Sequence, residues 1–335
     1  MLMISEQLIR TAKSLMDGHK GLLAMDESFG TCNKRFAALG IPQTVEMRRK
    51  YRELLVTTPQ LNEGISGAIL FDETIRQQTA DGTPFIKVLT DAGIIPGIKV
   101  DLGAKQLAGF PEEKVTEGLD GLRSRLVEYS EMGARFAKWR AVITIGDRIP
   151  SEGCIEANAH SLARYAAMCQ EVGLVPIVEP EVLMNGGHSL LRCMTVTSRL
   201  LQVVFEQLYK QRVSLEGILL KPNMILPGLE AMFNDPVAVV AEATVKCLLD
   251  VVPDTVAGIA FLSGGQPAEL ASARLNAMNR DYGSDLPWNL SFSFGRALQQ
   301  PALEIWDGKD LNIVAAQQAL LHRVKCNSLA SAGLI

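Results

Sequence analysis

Short apolar runs alternate with longer amphipathic stretches along nearly the whole chain. The runs are Leu22–Asp26, Ser66–Phe71, Gly97–Asp101, Arg135–Arg140, Leu174–Glu179, Glu216–Lys221, Ala257–Leu262 and Leu290–Phe294. Their starts lie about 30 to 45 residues apart, room for a strand, a helix and two loops. Several are apolar on both faces, as in Ile218-Leu219-Leu220, the habit of buried parallel strands. Between them, Thr44–Leu55, Glu156–Val172 and His188–Tyr209 carry helical period and length. Asp235 before Pro236 predicts an N-cap followed by proline at the first helical position. Gly133 and Gly173 stand where helices should end. At the start, Ile4, Leu8, Ile9, Ala12 and Leu15 predict an amphipathic helix. No linker or low-complexity stretch divides the sequence. The pattern therefore predicts an α/β fold, one (β/α)8 TIM barrel over residues 1–335, with an N-terminal helix and a short C-terminal tail. A doubly wound open sheet is the competing arrangement.

Composition narrows the function. A chain of 335 residues that is 47% hydrophobic and 21% charged is not a disordered one. Its net charge of -4 gives no basic footprint for nucleic acid, and no apolar run is long enough for a bilayer span. The six cysteines include no C-x-x-C pair and are expected to stay reduced. The four histidines show no metal-ligand spacing, so no metal or other cofactor is expected. No secretory signal is visible, and a cytoplasmic setting is expected, with a plastid as the alternative.

Charge placement is the informative feature. Asp26 closes the first predicted strand, Lys99 and Asp101 the third, Lys138 and Arg140 the fourth, Glu179 and Glu181 the fifth, and Lys221 the sixth. Ser263 follows the seventh and Arg296 the eighth. In a parallel barrel these ends meet at one mouth, where barrel active sites lie. A single lysine after a strand usually just reaches solvent. Several lysines and acids converging on one mouth would be costly unless paired or used.

Lys221 is the sharpest candidate, because its stem would leave an apolar strand for the mouth. Burial beside Lys138 would favour a neutral amine, which can attack a carbonyl and form a Schiff base. The iminium then serves as an electron sink for breaking a carbon–carbon bond without a metal. Glu179 or Glu181 is available for the proton transfers, and Asp26 for the hydroxyl that loses its proton. Ser263-Gly264-Gly265-Gln266-Pro267 opens a helix and has small residues suited to an anion. Ser293, Gly295 and Arg296 supply a second set of donors, so the two loops predict a phosphate site. Lys99, Arg140, Arg35 and Lys34 are candidates for a second phosphate. Spacing alone does not choose between cleavage and transfer of a carbon unit.

The segments Leu23–Ser28, Gly97–Asp101, Phe136–Arg140, Val175–Glu181, Leu219–Met224, Phe261–Gln266 and Phe292–Leu298 resemble those of class I fructose-bisphosphate aldolase, the Schiff-base family. The resemblance implies Lys221 as the Schiff-base lysine, Glu179 as acid/base with Glu181 beside it, Asp26 at the C4 hydroxyl, and Lys138 as an electrostatic aid. It implies Ser263, Gly264, Gly265, Ser293, Gly295 and Arg296 at the C1 phosphate. Arg35, Ser28, Lys99 and Arg140 would serve the rest of the substrate. The implied reaction is reversible cleavage of fructose 1,6-bisphosphate to dihydroxyacetone phosphate and glyceraldehyde 3-phosphate, by a homotetramer. Fructose 1-phosphate or sedoheptulose 1,7-bisphosphate as substrate, and a non-catalytic scaffold relative, are the alternatives. Phe29 and Thr31 depart from the animal pattern, as does the chain after Asn327-Ser328-Leu329-Ala330, which lacks a tyrosine-ended tail.

Overall fold

The computed structural model describes residues 6–232 and 235–335. Eight parallel strands close on themselves: β1 (Gly21–Ala24), β2 (Ile65–Leu70), β3 (Ile95–Lys99), β4 (Phe136–Ile143), β5 (Val175–Val182), β6 (Leu219–Leu220), β7 (Ile259–Phe261) and β8 (Leu290–Phe294). Each pairs with its chain neighbour, and Leu22↔Ser293 and Leu23↔Phe294 seal β1 to β8. Closure excludes the open-sheet alternative. A small antiparallel hairpin, Ala104–Gln106 with Lys114–Thr116, sits outside the barrel between β3 and β4.

The helices, in chain order, are α1 (Glu6–Leu15), α2 (Phe29–Ala38), α3 (Val45–Val56), α4 (Asp72–Ile75), α5 (Phe85–Asp91), α6 (Leu122–Met132), α7 (Glu152–Glu171), α8 (Leu190–Lys210), α9 (Val237–Val251), α10 (Ala268–Tyr282), α11 (Arg296–Trp306) and α12 (Ile313–Ser331). Thr44 caps α3 through its side chain, as Ser151 caps α7. Gly133 ends α6 in the left-handed conformation (φ 113°), and Gly173 follows the end of α7 with φ 78°. Asp235 is not a cap: α9 begins one residue later than expected, with Pro236 as its flanking residue and no side-chain capping bond. Ile4 lies outside the described residues. Among those described, no helix is long and apolar enough to cross a membrane.

Two cores divide the interior. Outside the barrel, alternate strand residues such as Leu23, Ile98, Trp139 and Phe261 pack against the helices. Inside, Leu22, Ile69, Phe136, Val175, Ile177, Leu219 and Ala260 meet Leu8, Ala12, Leu15 and Met16. Helix α1 thus plugs the bottom of the barrel with its apolar face. Gly97 makes room for the Phe136 ring, which lies 2.2 Å from where a Cβ would stand. The plug also explains a departure in β6. Residues Leu215–Gly217 form a tight turn instead of strand, with Gly217 pressed against Leu8 of α1. Strand pairing then begins only at Leu219, opposite Ile177.

Candidate active site

Lys221 follows the two residues of β6 directly. Its backbone N–H donates to Val178 O at 2.8 Å, and the next residue, Pro222, accepts from Leu262 N at 3.1 Å. The lysine is thereby clamped between β5 and the end of β7, at the mouth that part of the chain was expected to build. Its Nζ lies 3.2 Å from Glu179 Oε1. Glu179 Oε2 lies 3.2 Å from Lys138 Nζ, and Lys138 Nζ lies 2.7 Å from Asp26 Oδ2. The four side chains form one alternating sequence of charge, Lys221–Glu179–Lys138–Asp26. The two lysines and Glu179 are each only 4% exposed, and Asp26 12%.

Burial and charge oppose one another here, and charge wins. Burial would raise the Asp26 carboxyl, but Lys138, then Lys221 and Lys99, hold it well below the usual carboxylate range. Burial would lower Lys138, but Asp26, Glu179 and Asp101 hold its ammonium well above the ordinary lysine value. Lys138 is therefore a fixed cation and Asp26 a fixed anion at neutral pH. Glu179 touches both ammonium groups and is placed to pass protons to and from Lys221.

Strands β4 and β5 run further than the sequence pattern predicts. They pair without interruption from Phe136↔Val175 to Ile143↔Val182, so Lys138, Arg140, Glu179 and Glu181 lie within strands instead of closing them. The strands persist because each inward charge meets its opposite. Arg140 Nε donates to Glu181 Oε2 in a short charge-assisted contact. Glu181 is thus committed to Arg140, while Glu179 alone reaches the lysines. Lys99 Nζ bonds Asp101 Oδ1 at 2.6 Å and its carbonyl at 2.7 Å, and Asp101 Oδ2 accepts from Arg140 N at 3.2 Å.

The two expected phosphate loops meet. Gly264 and Gly265 both have positive φ, 59° and 90°, so the turn after Ser263 requires them. Arg296 Nη2 stands 3.1 Å from where a Cβ on Gly265 would be, bringing the β8 side against the β7 loop. Gly295 flanks the N-terminus of α11, which Arg296 opens. Ser293 Oγ is buried with no hydrogen-bond partner among the described residues, a donor aimed at nothing in the chain.

Arg35 and Ser28 are placed differently. Arg35 Nη1 donates to Glu27 Oε1 at 2.7 Å, apart from the Lys99–Asp101 and Arg140–Glu181 pairs. Ser28 caps α2 by accepting from Thr31 N at 3.3 Å, and Thr31 Oγ1 in turn accepts from Ser28 Oγ. Lys34 is exposed on the same helix. Sequence reasoning missed the hub these residues surround. The Glu27 side chain is only 8% exposed and also pairs with Arg52 at 2.8 Å. Gln299 donates to Glu27 Oε1 at 3.0 Å and to Ala24 O at 2.6 Å, while Tyr51 OH donates to Gln299 Oε1 at 3.0 Å. This network ties α3 and α11 to the end of β1, just behind Asp26. Its only signal in the sequence is a second acid beside Asp26, and its partners lie too far along the chain to be paired with it by reading.

Among the described residues, no group of three or more His, Cys, Asp or Glu side chains is arranged to hold a metal ion. Two hollows elsewhere contain no member of the charge sequence. One, about 330 Å³, is lined by Lys13, Met16, Ala257 and Asn289, and the other, about 580 Å³, by Ile75, Gln77, Ile86 and Lys87.

Residues 7–335 match the family described as Fructose-bisphosphate aldolase class-I. A probable fructose-bisphosphate aldolase class 1 from Xanthomonas campestris is 57% identical over 330 residues, 98% of either chain. The cytosolic fructose-bisphosphate aldolase 6 of Arabidopsis thaliana is 51% identical over 329 residues, 98% of this chain and 91% of that one. Among solved structures, a fructose-bisphosphate aldolase from Plasmodium falciparum, in complex with TRAP and a small-molecule inhibitor, superposes with a TM-score of 0.97. It is 46% identical, over 99% of this chain and 96% of that one.

Proposed function

The chain belongs to the class I fructose-bisphosphate aldolase family and is a lyase, and on that premise we propose that Lys221 is its Schiff-base residue. The observation that carries the proposal is the buried sequence Lys221–Glu179–Lys138–Asp26. Glu179, 3.2 Å from Lys221 Nζ, relieves the amine of its proton so that it attacks the C2 carbonyl of an open-chain ketose phosphate. The same carboxyl returns a proton to the carbinolamine oxygen, which leaves as water. The iminium then draws the C3–C4 electron pair. Asp26 accepts the C4 hydroxyl proton as that bond breaks, glyceraldehyde 3-phosphate leaves, and the enamine of dihydroxyacetone phosphate stays on Lys221. Lys138 holds both carboxylates in place with its charge. The enamine then takes up a proton at C3, offsetting the one that Asp26 removed, and so returns to the iminium, whose hydrolysis reverses the first steps and frees the amine.

The C1 phosphate is assigned to Ser263, Gly264, Gly265, Ser293, Gly295 and Arg296, supported by the contact between the two loops and the unpartnered Ser293 hydroxyl. Lys99 and Arg140 are assigned to the far end of the substrate, with Ser28 and Arg35 on its rim. Glu181 orients Arg140. The chain is read as one folding unit, supported by the seal of β1 to β8, and as a cytoplasmic protein, supported by relatives named cytosolic. A homotetramer is supported by the exposed apolar Leu311, in the turn before α12, and Val314, in the first turn of that helix.

The test is cleavage measured on three ketoses side by side. Fructose 1,6-bisphosphate should give the highest kcat/KM, ahead of fructose 1-phosphate and sedoheptulose 1,7-bisphosphate. A preference for either of those would reassign the substrate, and no cleavage of any would leave a scaffold role.

A further inference from the structure

Helix α10 carries an arginine that the reaction does not use. Arg274 is 4% exposed, yet among the described residues no carboxylate lies within ion-pair distance of it. Burial lowers its basicity, with only the more distant Asp235 opposing. Its Nη1 donates to Gln266 Oε1 at 2.7 Å, and among the described residues its Nε has no partner. A guanidinium left this incompletely compensated is costly in a protein interior.

Among the described residues, its hydrogen-bond partner is the residue that finishes the phosphate loop. Gln266 donates twice to Ser263 O, from its backbone N–H and from Nε2, both at 3.0 Å. The same Nε2 faces Met224 Sδ at 3.6 Å. The neighbouring Asn223 bonds Met224 O and accepts from Val182 N, at the end of the strand that carries Glu179. Arg274 thus fixes the side chain that folds the Ser263-Gly264-Gly265 turn and joins that turn to the segment after Lys221. It also brings an unspent positive charge to the rear of a loop whose front is open to an anion.

We propose that Arg274 is a positioning and specificity residue for substrate phosphate, holding the Ser263–Gln266 turn through Gln266 and supplying from behind it the charge that a bound phosphate dianion compensates. The inference rests on the reading that this turn binds the C1 phosphate. The buried cation and the anion favour one another, since a bound phosphate adds to the weak opposition that Asp235 offers the burial of the guanidinium.

The experiment compares Arg274→Gln, which keeps hydrogen-bonding capacity without charge, with Arg274→Lys, which keeps charge. At fixed ionic strength, KM for fructose 1,6-bisphosphate and the competitive inhibition constant of inorganic phosphate are measured with kcat. Arg274→Gln should raise both constants about fivefold, within the range by which neighbours in one network couple, with the change carried by KM and not kcat. Arg274→Lys should recover most of the loss. Unaltered constants in Arg274→Gln, or equal impairment in Arg274→Lys, would overturn the proposal. If Arg274→Gln does not fold, Arg274→Met replaces it. If neither neutral variant folds while Arg274→Lys binds phosphate as the parent does, the charge serves the fold and the proposal also fails. Arg296→Ala, measured alongside, keeps the two readings apart. Unaltered phosphate inhibition in Arg296→Ala would defeat the assignment of the turn itself, whereas weakened inhibition there with unaltered phosphate affinity in Arg274→Gln would defeat only the role of Arg274.

Discussion

Lys138→Met removes one ammonium from the middle of the buried charge sequence while keeping most of the stem. Two carboxylates lose a partner at once: Asp26 at 2.7 Å and Glu179 at 3.2 Å. Breaking a buried pair from one side costs about 3–5 kcal/mol, because the remaining charge stays desolvated. The pH dependence gives the sign. In the parent, Asp26 titrates below its unfolded value, so its contribution is complete above about pH 4 and is lost only as pH falls through the still lower native value. In the variant, burial acts on Asp26 without its strongest counter-charge, and only Lys221 and Lys99 remain to oppose it. The carboxyl therefore titrates at higher pH. The stability deficit should be greatest near neutrality and should shrink in mild acid, where the variant's buried carboxyls take up protons. Denaturant unfolding at several pH values measures this. The acid limb of kcat should move to higher pH in the same variant, since a protonated Asp26 cannot accept from the substrate hydroxyl. A double-mutant cycle with Asp26→Asn should show a coupling of about 0.5–3 kcal/mol. A loss under about 1 kcal/mol with no change in the pH profile would refute the reasoning, since an exposed pair is worth no more than that.

Arg296→Ala should raise KM for the bisphosphate about tenfold, the scale of one charged hydrogen bond, with a smaller effect on kcat. An unchanged KM would remove Arg296 from the phosphate site. Cleavage should persist at full rate in excess chelator, and its loss there would contradict metal-free chemistry. Gly97→Ala should destabilise by about 2 kcal/mol or more, because the new methyl stands 2.2 Å from the Phe136 ring inside a filled barrel. A thermal melt equal to the parent's would show that the ring can shift aside.

The strands and their order were legible because parallel barrel strands are apolar on both faces and evenly spaced. The charges at the mouth were legible because ionisable residues stand out in such runs. Their exact extents were not. Nothing local says that β4 and β5 continue past Arg140 and Glu179, since that depends on each charge finding its opposite on the next strand. The late start of β6 depends on Leu8, more than two hundred residues away in sequence, filling the space beside Gly217. The Glu27 hub was invisible for the same reason: Arg52 and Gln299 reach it from α3 and α11. Gln266 and Arg274 each look ordinary alone, and only the fold puts the cation behind the loop.

The most direct measurement is reduction with borohydride in the presence of dihydroxyacetone phosphate, followed by peptide mapping of the trapped adduct. One reduced three-carbon phosphate adduct per chain should be found on Lys221, and Lys221→Ala should take up none. Label on Lys138 or Lys99 instead, or no label in an enzyme that still cleaves its substrate, would contradict the assignment of the nucleophile.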